Sequence, residues 1–151
     1  MEYVYLNRDV VLNNIRNLSQ ITFEVTDACN LHCKYCGYGE MYGGYDKRED
    51  KRLPVGVAYR ILEYWHEQWR HSDSVGKKTY ISFYGGEPLL NMDFIRAVVE
   101  WVEAHPLPQC DFEFTMTTNA VLLHRYIDYL VEHRFHILVS LDGNKANNGY
   151  R

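Results

Sequence analysis

The chain has 151 residues and a formal net charge of -4, from 16 basic and 20 acidic side chains, with 46% hydrophobic and 24% charged residues. That is the size and composition of one globular domain; it excludes a disordered tail and a nucleic-acid binder that relies on phosphate neutralisation. No run approaches the roughly 18 apolar residues of a membrane helix, and Met1 to Tyr5 carry no basic region leading into an apolar core, so the expected setting is cytoplasmic with no membrane partner.

Residues 1–20 form an N-terminal extension in which Tyr3-Val4-Tyr5-Leu6 and Val10-Val11-Leu12 suggest a short strand or hairpin. Residues 21–151 follow a strand-then-helix rhythm. Ile21 to Val25 alternates and is β-branched, which predicts a strand. From Asp27 to Arg52 the chain is rich in Gly, Tyr and charge and reads as a long functional loop. Pro54 suits a first helical turn, and Ala58, Ile61, Leu62, Trp65 and Trp69 repeat at helical spacing.

Thr79 to Tyr84 is a second strand, stopped by Gly85-Gly86 and Pro88. Asn91 reads as the N-cap of a helix with the stripe Phe94, Ile95, Val98, Val99 and Val102, closed by Pro106. Phe112 to Thr117 is a third strand, Leu122 to Glu132 a third helix through Leu123, Ile127, Leu130 and Val131, and Phe135 to Leu141 a fourth strand. Such alternation predicts an α/β fold of parallel strands, either a doubly wound sheet or part of a barrel. In both, the C-terminal strand ends share one edge where ligands bind.

Those ends carry the reactive residues. Cys29-x-x-x-Cys33-x-x-Cys36 follows the first strand, Gly85-Gly86-Glu87-Pro88 the second, Thr117-Thr118-Asn119 the third and Ser140-Leu141-Asp142-Gly143 the fourth. Three cysteines within eight residues mean metal or redox chemistry rather than a disulfide framework. Structural zinc usually takes paired Cys-x-x-Cys arms and a fourth ligand; His32 is in reach by sequence but lies inside the same tight loop. An iron-sulfur cluster fits better, three thiolates holding three irons and leaving a fourth open. Two glycines at a strand end permit unusual dihedrals and close backbone approach, and Pro88 holds Glu87 extended.

Cys29-x-x-x-Cys33-x-x-Cys36, with the aromatic Tyr35 before its third cysteine, resembles the signature of the radical S-adenosylmethionine (radical SAM) enzymes. Thr26 to Cys33 is similar to its version in SPASM-type peptide- and protein-modifying maturases, which include the anaerobic sulfatase maturases. The resemblance implies the first half of a partial TIM-type barrel built from parallel βα repeats, truncated after the fourth strand. It implies a 4Fe-4S cluster on Cys29, Cys33 and Cys36 whose open iron is chelated by S-adenosylmethionine. One electron then cleaves the sulfonium, giving methionine and a 5'-deoxyadenosyl radical that abstracts a substrate hydrogen.

The resemblance further implies that Gly85, Gly86, Glu87 and Pro88 receive the cofactor ammonium, through backbone carbonyls and with help from Glu87. Thr118 and Asn119 belong to a motif similar to the maturases' Thr-Thr-Asn-Gly, from which Ala120 departs. Ser140 is the candidate ribose contact, and Asp142 a contact to cofactor or substrate; Asn144 stands where relatives often have proline. The implied partners are a peptide or protein substrate and an electron donor such as flavodoxin or ferredoxin. An open sheet edge after the fourth strand invites dimerisation.

Other residues read more plainly. Tyr38, Tyr42 and Tyr45 lie in a loop that covers the cluster, contacts a peptide or is merely surface; Trp65, Trp69 and Trp101 are packing residues, and Cys110 is an inert thiol rather than a fourth ligand. The competing reading is a non-catalytic iron-sulfur or zinc module on the same three cysteines, which would not need the other three strand-end motifs.

Overall fold

Alternation in consecutive strands decides the architecture. The computed structural model describes residues 5–38, 48–73 and 75–150. β1 (Gln20–Thr26), β2 (Lys77–Gly85), β3 (Cys110–Thr118) and β4 (His136–Val139) form one parallel sheet in the order β1-β2-β3-β4. Phe23 stands beside Phe83, which stands beside Met116. These residues, with Ile21, Val25, Ile81 and Phe114, bury one face of the sheet.

That face is covered by α2 (Val55–Trp69), α3 (Met92–Ala104) and α4 (Leu123–Glu132), through Leu62, Trp69, Phe94, Ile95, Val98, Val99 and Leu130. Each such buried side chain contributes about 1.5–3 kcal/mol relative to leaving it in water. Trp65 packs against Trp69, and Trp69 against Phe112, so the tryptophans serve the helix-sheet layer as their spacing suggested.

The opposite face is polar. Gln20 Nε2 donates to Ser82 Oγ (2.8 Å), Ser82 and Thr115 share a hydroxyl hydrogen bond (2.6 Å), and Glu113 pairs with Lys78 and His136. Lys78 holds the Glu113 carboxyl below its usual range. Helices packed on one face of a parallel sheet are the arrangement of a barrel wall, whereas a doubly wound sheet carries them on both. The structure thus shows four strands of a partial barrel, as expected from the motifs.

Three details differ from the sequence expectations. Where a strand or hairpin was expected, Arg8–Arg16 is a helix, α1; Asn7 Oδ1 accepts the Val10 N–H (2.9 Å), with Asp9 in the first turn and Arg16 in the last. Capping and charge placement outweigh the β-branched pair Val10-Val11; Met1 to Val4 lie outside the described residues. In α4, Leu130 is buried, with Leu123 and Tyr126 packed behind it, while Ile127 and Val131 are exposed beyond the β4 edge. Finally, β4 is shorter than expected: Phe135 precedes the ladder and stacks on Phe83 and Phe114 instead.

Candidate functional site

Thr26 closes β1 and fixes the start of the cysteine loop. Its Oγ1 donates to the Lys51 carbonyl (2.6 Å) and accepts the Ala28 N–H (3.1 Å), while Asp27 Oδ2 accepts the Glu49 N–H (2.8 Å). Backbone bonds from Asp27 N to Lys51 O (3.3 Å) and from Leu53 N to Val25 O (3.0 Å) lay residues 51–53 beside the strand end. The far end of the long loop is therefore tied to its beginning. Tyr42 and Tyr45 lie outside the described residues. Tyr38 donates to the Glu24 carboxylate, and that bond together with partial burial pushes its hydroxyl pKa up to about 12.

The other side of the loop rests on the end of β2. Gly86 N donates to Thr26 O and Glu87 N to Ala28 O, both at 2.8 Å. A Cβ on Gly86 would lie 2.2 Å from Ala28 O and 2.5 Å from Asp27 O; one on Gly85, whose φ is +131°, would lie 2.2 Å from Thr26 O. The close approach that requires these glycines is thus made by the backbone leading into Cys29.

Glu87 is engaged by protein donors. Its side chain is fully buried, and its two oxygens accept from Leu89 N (3.1 Å), Thr118 Oγ1 (2.6 Å) and Asn119 N (2.8 Å). A carboxylate so enclosed ties the end of β2 to the end of β3, and it is not among the residues that line the cysteine cavity. Thr118 is committed likewise: its Oγ1 donates to Glu87 and accepts the Ala120 N–H (3.0 Å). Pro88 is buried at the start of a 3₁₀ turn, Pro88–Asn91, and Glu87 before it is extended. Asn91 makes no side-chain cap; its Nδ2 reaches Val25 O (2.8 Å), a further tie to β1.

Cys29, Cys33 and Cys36 are free, partly buried thiols that line one cavity of about 290 Å³ together with Gly85, Gly86, Thr118, Asn119 and Ser140. The Leu31 N–H donates to Cys29 Sγ (3.4 Å), and Asn119 Nδ2 lies 3.7 Å from that sulfur while donating to Asn30 Oδ1 (2.8 Å). Among the described residues, no three His, Cys, Asp or Glu converge tightly enough to hold a single metal ion. His32 is exposed. Three thiols lining one cavity make an all-sulfur donor set, which suits an iron-sulfur cluster whose ligands each take a different iron.

The end of β4 completes the rim. Ser140 N donates to Thr118 O (2.9 Å), setting its side chain at the cavity. The Tyr35 hydroxyl donates to Asp142, joining the cysteine loop to the segment after β4. Asn144 Oδ1 accepts from Ala146 N and Asn147 N (both 3.1 Å), so the asparagine side chain holds the turn after β4.

Two features carried no sequence signal or only a departure from a motif. Arg48 stands within the run Asp46-Lys47-Arg48-Glu49-Asp50-Lys51-Arg52, where nothing marks it out, yet it donates to Leu31 O (3.0 Å) and Cys36 Sγ (3.2 Å). Ala120 has φ +64°, the left-handed region that glycine occupies without strain. Ala120→Gly is therefore expected to stabilise the fold by about 0.5–1 kcal/mol, the relieved left-handed strain less the added chain entropy. A raised urea midpoint at unchanged slope would show it; a lowered midpoint would refute it.

Cys110 is remote from this cavity. It begins β3, at the opposite sheet edge, beside a separate cavity of about 530 Å³, and burial pushes its thiol pKa up. It does not line the cavity of the other three cysteines.

Comparison with known proteins places these features. The chain is 23% identical over 133 residues to the cysteine-type anaerobic sulfatase-maturating enzyme of Clostridium novyi, covering 87% of this chain and 34% of that one. It is 32% identical over 108 residues to the GTP 3',8-cyclase of Clostridium acetobutylicum, covering 72% and 29%. Among solved structures, native anSMEcpe with bound AdoMet has the same fold, with a TM-score of 0.70 at 22% identity, covering 87% of this chain and 35% of that one. The chain spans about a third of the length of these relatives. A sequence model of the Radical SAM superfamily matches residues 23–147, from β1 through all four strand ends, and the chain belongs to that superfamily.

Proposed function

We propose that this chain is the cofactor-holding part of a radical SAM enzyme, with Cys29, Cys33 and Cys36 as ligands of a 4Fe-4S cluster and S-adenosylmethionine bound at the open iron. The observation that carries this reading is the convergence of three partly buried thiols and the ends of β2, β3 and β4 on one cavity. The donor set fits the cluster: all sulfur, lining one cavity. Bound there, the cluster would supply the one electron that cleaves the sulfonium to methionine and a 5'-deoxyadenosyl radical, from which substrate hydrogen abstraction follows.

The protein's share is positioning. Gly85 and Gly86 offer backbone carbonyls to the cofactor ammonium, and their lack of side chains lets the cysteine loop lie against β2. Ser140 stands ready for a ribose hydroxyl, Asn119 braces the loop at Asn30, and the Tyr35 to Asp142 contact closes the rim. Glu87 and Thr118 act from beneath, holding two strand ends at a fixed separation.

A peptide or protein substrate is supported by the Thr26 to Cys33 motif and by the likeness to the sulfatase-maturating enzyme. Flavodoxin or ferredoxin is the proposed electron donor. The exposed Leu138 and Val139 at the β4 edge, with Ile127 and Val131 of α4, form the surface where a second copy of the chain would pair.

The test is anaerobic reconstitution with iron and sulfide, then assay for 5'-deoxyadenosine under a strong reductant. Cys33→Ala is expected to abolish both the cluster absorbance and 5'-deoxyadenosine formation; retention of either removes Cys33 from the ligand set. With deuterated candidates, label transferred from a peptide to 5'-deoxyadenosine supports the substrate class. Transfer from GTP, which the 32% identity to a GTP 3',8-cyclase makes the competing substrate, would overturn it.

A further inference from the structure

Among the described residues, the sulfur of Cys36 has a cationic donor. Cys29 Sγ faces neutral donors, Leu31 N–H and the Asn119 amide, whereas Cys36 Sγ accepts from the guanidinium of Arg48 at 3.2 Å. The second terminal nitrogen of Arg48 is fixed by Leu31 O at 3.0 Å, and its ring neighbour is Tyr38, 5.6 Å from the guanidinium carbon. Its Nε is buried with no partner among the described residues. A planar fork held at both tips keeps its positive charge fixed beside Cys36. The surrounding chain favours this pose, because the bond from Glu49 N to Asp27 holds the residue next to Arg48 against the start of the cysteine loop.

We infer that Arg48 is a positioning residue that sets the reduction potential of the cluster through Cys36 Sγ, an inference that rests on the cluster reading above. The physical basis is direct. Adding an electron makes the cluster more negative, and a nearby cation that donates to a ligand sulfur stabilises the reduced form more than the oxidised one. Outer-shell donors to metal ligands tune the centre in this way. Arg48 therefore raises the potential, and removing its charge lowers it. The bond to Leu31 O also clips the loop between the first and second cysteines to the segment after the third, so the same residue holds the ligands in register.

The experiment is a redox titration of the anaerobically reconstituted protein, followed by electron paramagnetic resonance, on the unmodified chain, Arg48→Gln and Arg48→Lys, each normalised to its iron and sulfide content. Arg48→Gln is expected to lower the reduced-to-oxidised ratio at fixed potential at least about tenfold, which is about 59 mV for a one-electron couple. Arg48→Lys, which keeps the charge, recovers most of the shift. Equal potentials in the unmodified chain and Arg48→Gln would overturn the inference.

A second readout is independent of how the variants load. In the unmodified chain grown with 15N-guanidino arginine, pulsed measurements on the reduced cluster are expected to show a nitrogen hyperfine coupling. Its absence would contradict the Arg48 contact even where a cluster is present. If the unmodified chain assembles no cluster at all, the cluster reading itself fails, and this inference with it.

Discussion

Gly86→Ala is expected to strip the site of its cluster while leaving the sheet folded. The added methyl would lie 2.2 Å from Ala28 O and 2.5 Å from Asp27 O, distances that no side-chain rearrangement relieves because both contacts are backbone. The relief available is for residues 26–28 to leave β2, which breaks the bonds from Gly86 N to Thr26 O and from Glu87 N to Ala28 O. Cys29 follows directly on that segment and moves with it. The core sits on the far side of β2, at Ile81 and Phe83, and keeps its packing. Iron retained after anaerobic reconstitution should fall about 10- to 100-fold, the usual effect of displacing the support of a metal ligand. The far-UV circular dichroism should change little. Full iron content in Gly86→Ala would show that the loop is not positioned by β2.

Glu87→Ala is expected to cost stability as well as function. Three donors converge on this buried carboxylate: Leu89 N, Thr118 Oγ1 and Asn119 N. Removing it leaves the Leu89 N–H and the Thr118 hydroxyl without their buried acceptor and the Asn119 N–H without its part-buried one, each costing about 1–3 kcal/mol if unsatisfied. A total near 3–5 kcal/mol is expected, since some of the donors relax. The urea midpoint of the cluster-free chain measures this without reference to activity. Glu87→Gln keeps one acceptor but turns an NH2 towards at least one of the donors, so it should fall between the parent and Glu87→Ala. A surface-like change below about 0.5 kcal/mol in Glu87→Ala would contradict the buried hub.

These two residues also show what the sequence makes legible and what it leaves out. Gly85-Gly86 is visible as a strand stop with special dihedrals, and φ +131° at Gly85 agrees. What the glycines approach is not visible, because it depends on how β1 and β2 are paired. Glu87 carries the same letter whether its side chain points at a ligand or into the protein; its bonds to Thr118 and Asn119, from the end of β3, are what hold it inside. Asn91 has the composition of a helix cap, yet its amide reaches Val25 O, a partner far away in sequence.

Periodic features read well by contrast. The stripe of α3 buries all five expected residues, while that of α2 buries Ala58, Leu62 and Trp69 and half-buries Ile61 and Trp65. In α4, next to the edge strand, only the sheet-facing part of the stripe is covered. Ala120 is instructive in another way: its departure from glycine in a motif similar to Thr-Thr-Asn-Gly coincides with a positive φ, so the pattern difference marks a strained position. Arg48 was invisible because a lone arginine in a charged loop has no periodicity and no fixed spacing from Cys36.

The central claim is that Cys29, Cys33 and Cys36 hold a 4Fe-4S cluster with one iron open to S-adenosylmethionine. The most direct measurement is the electron paramagnetic resonance of the anaerobically reconstituted, reduced protein, recorded before and after S-adenosylmethionine is added. The account predicts a 4Fe-4S signal whose g-values shift on addition, and loss of that signal in Cys33→Ala. A cluster signal indifferent to S-adenosylmethionine, or zinc without iron in protein purified anaerobically, would contradict it.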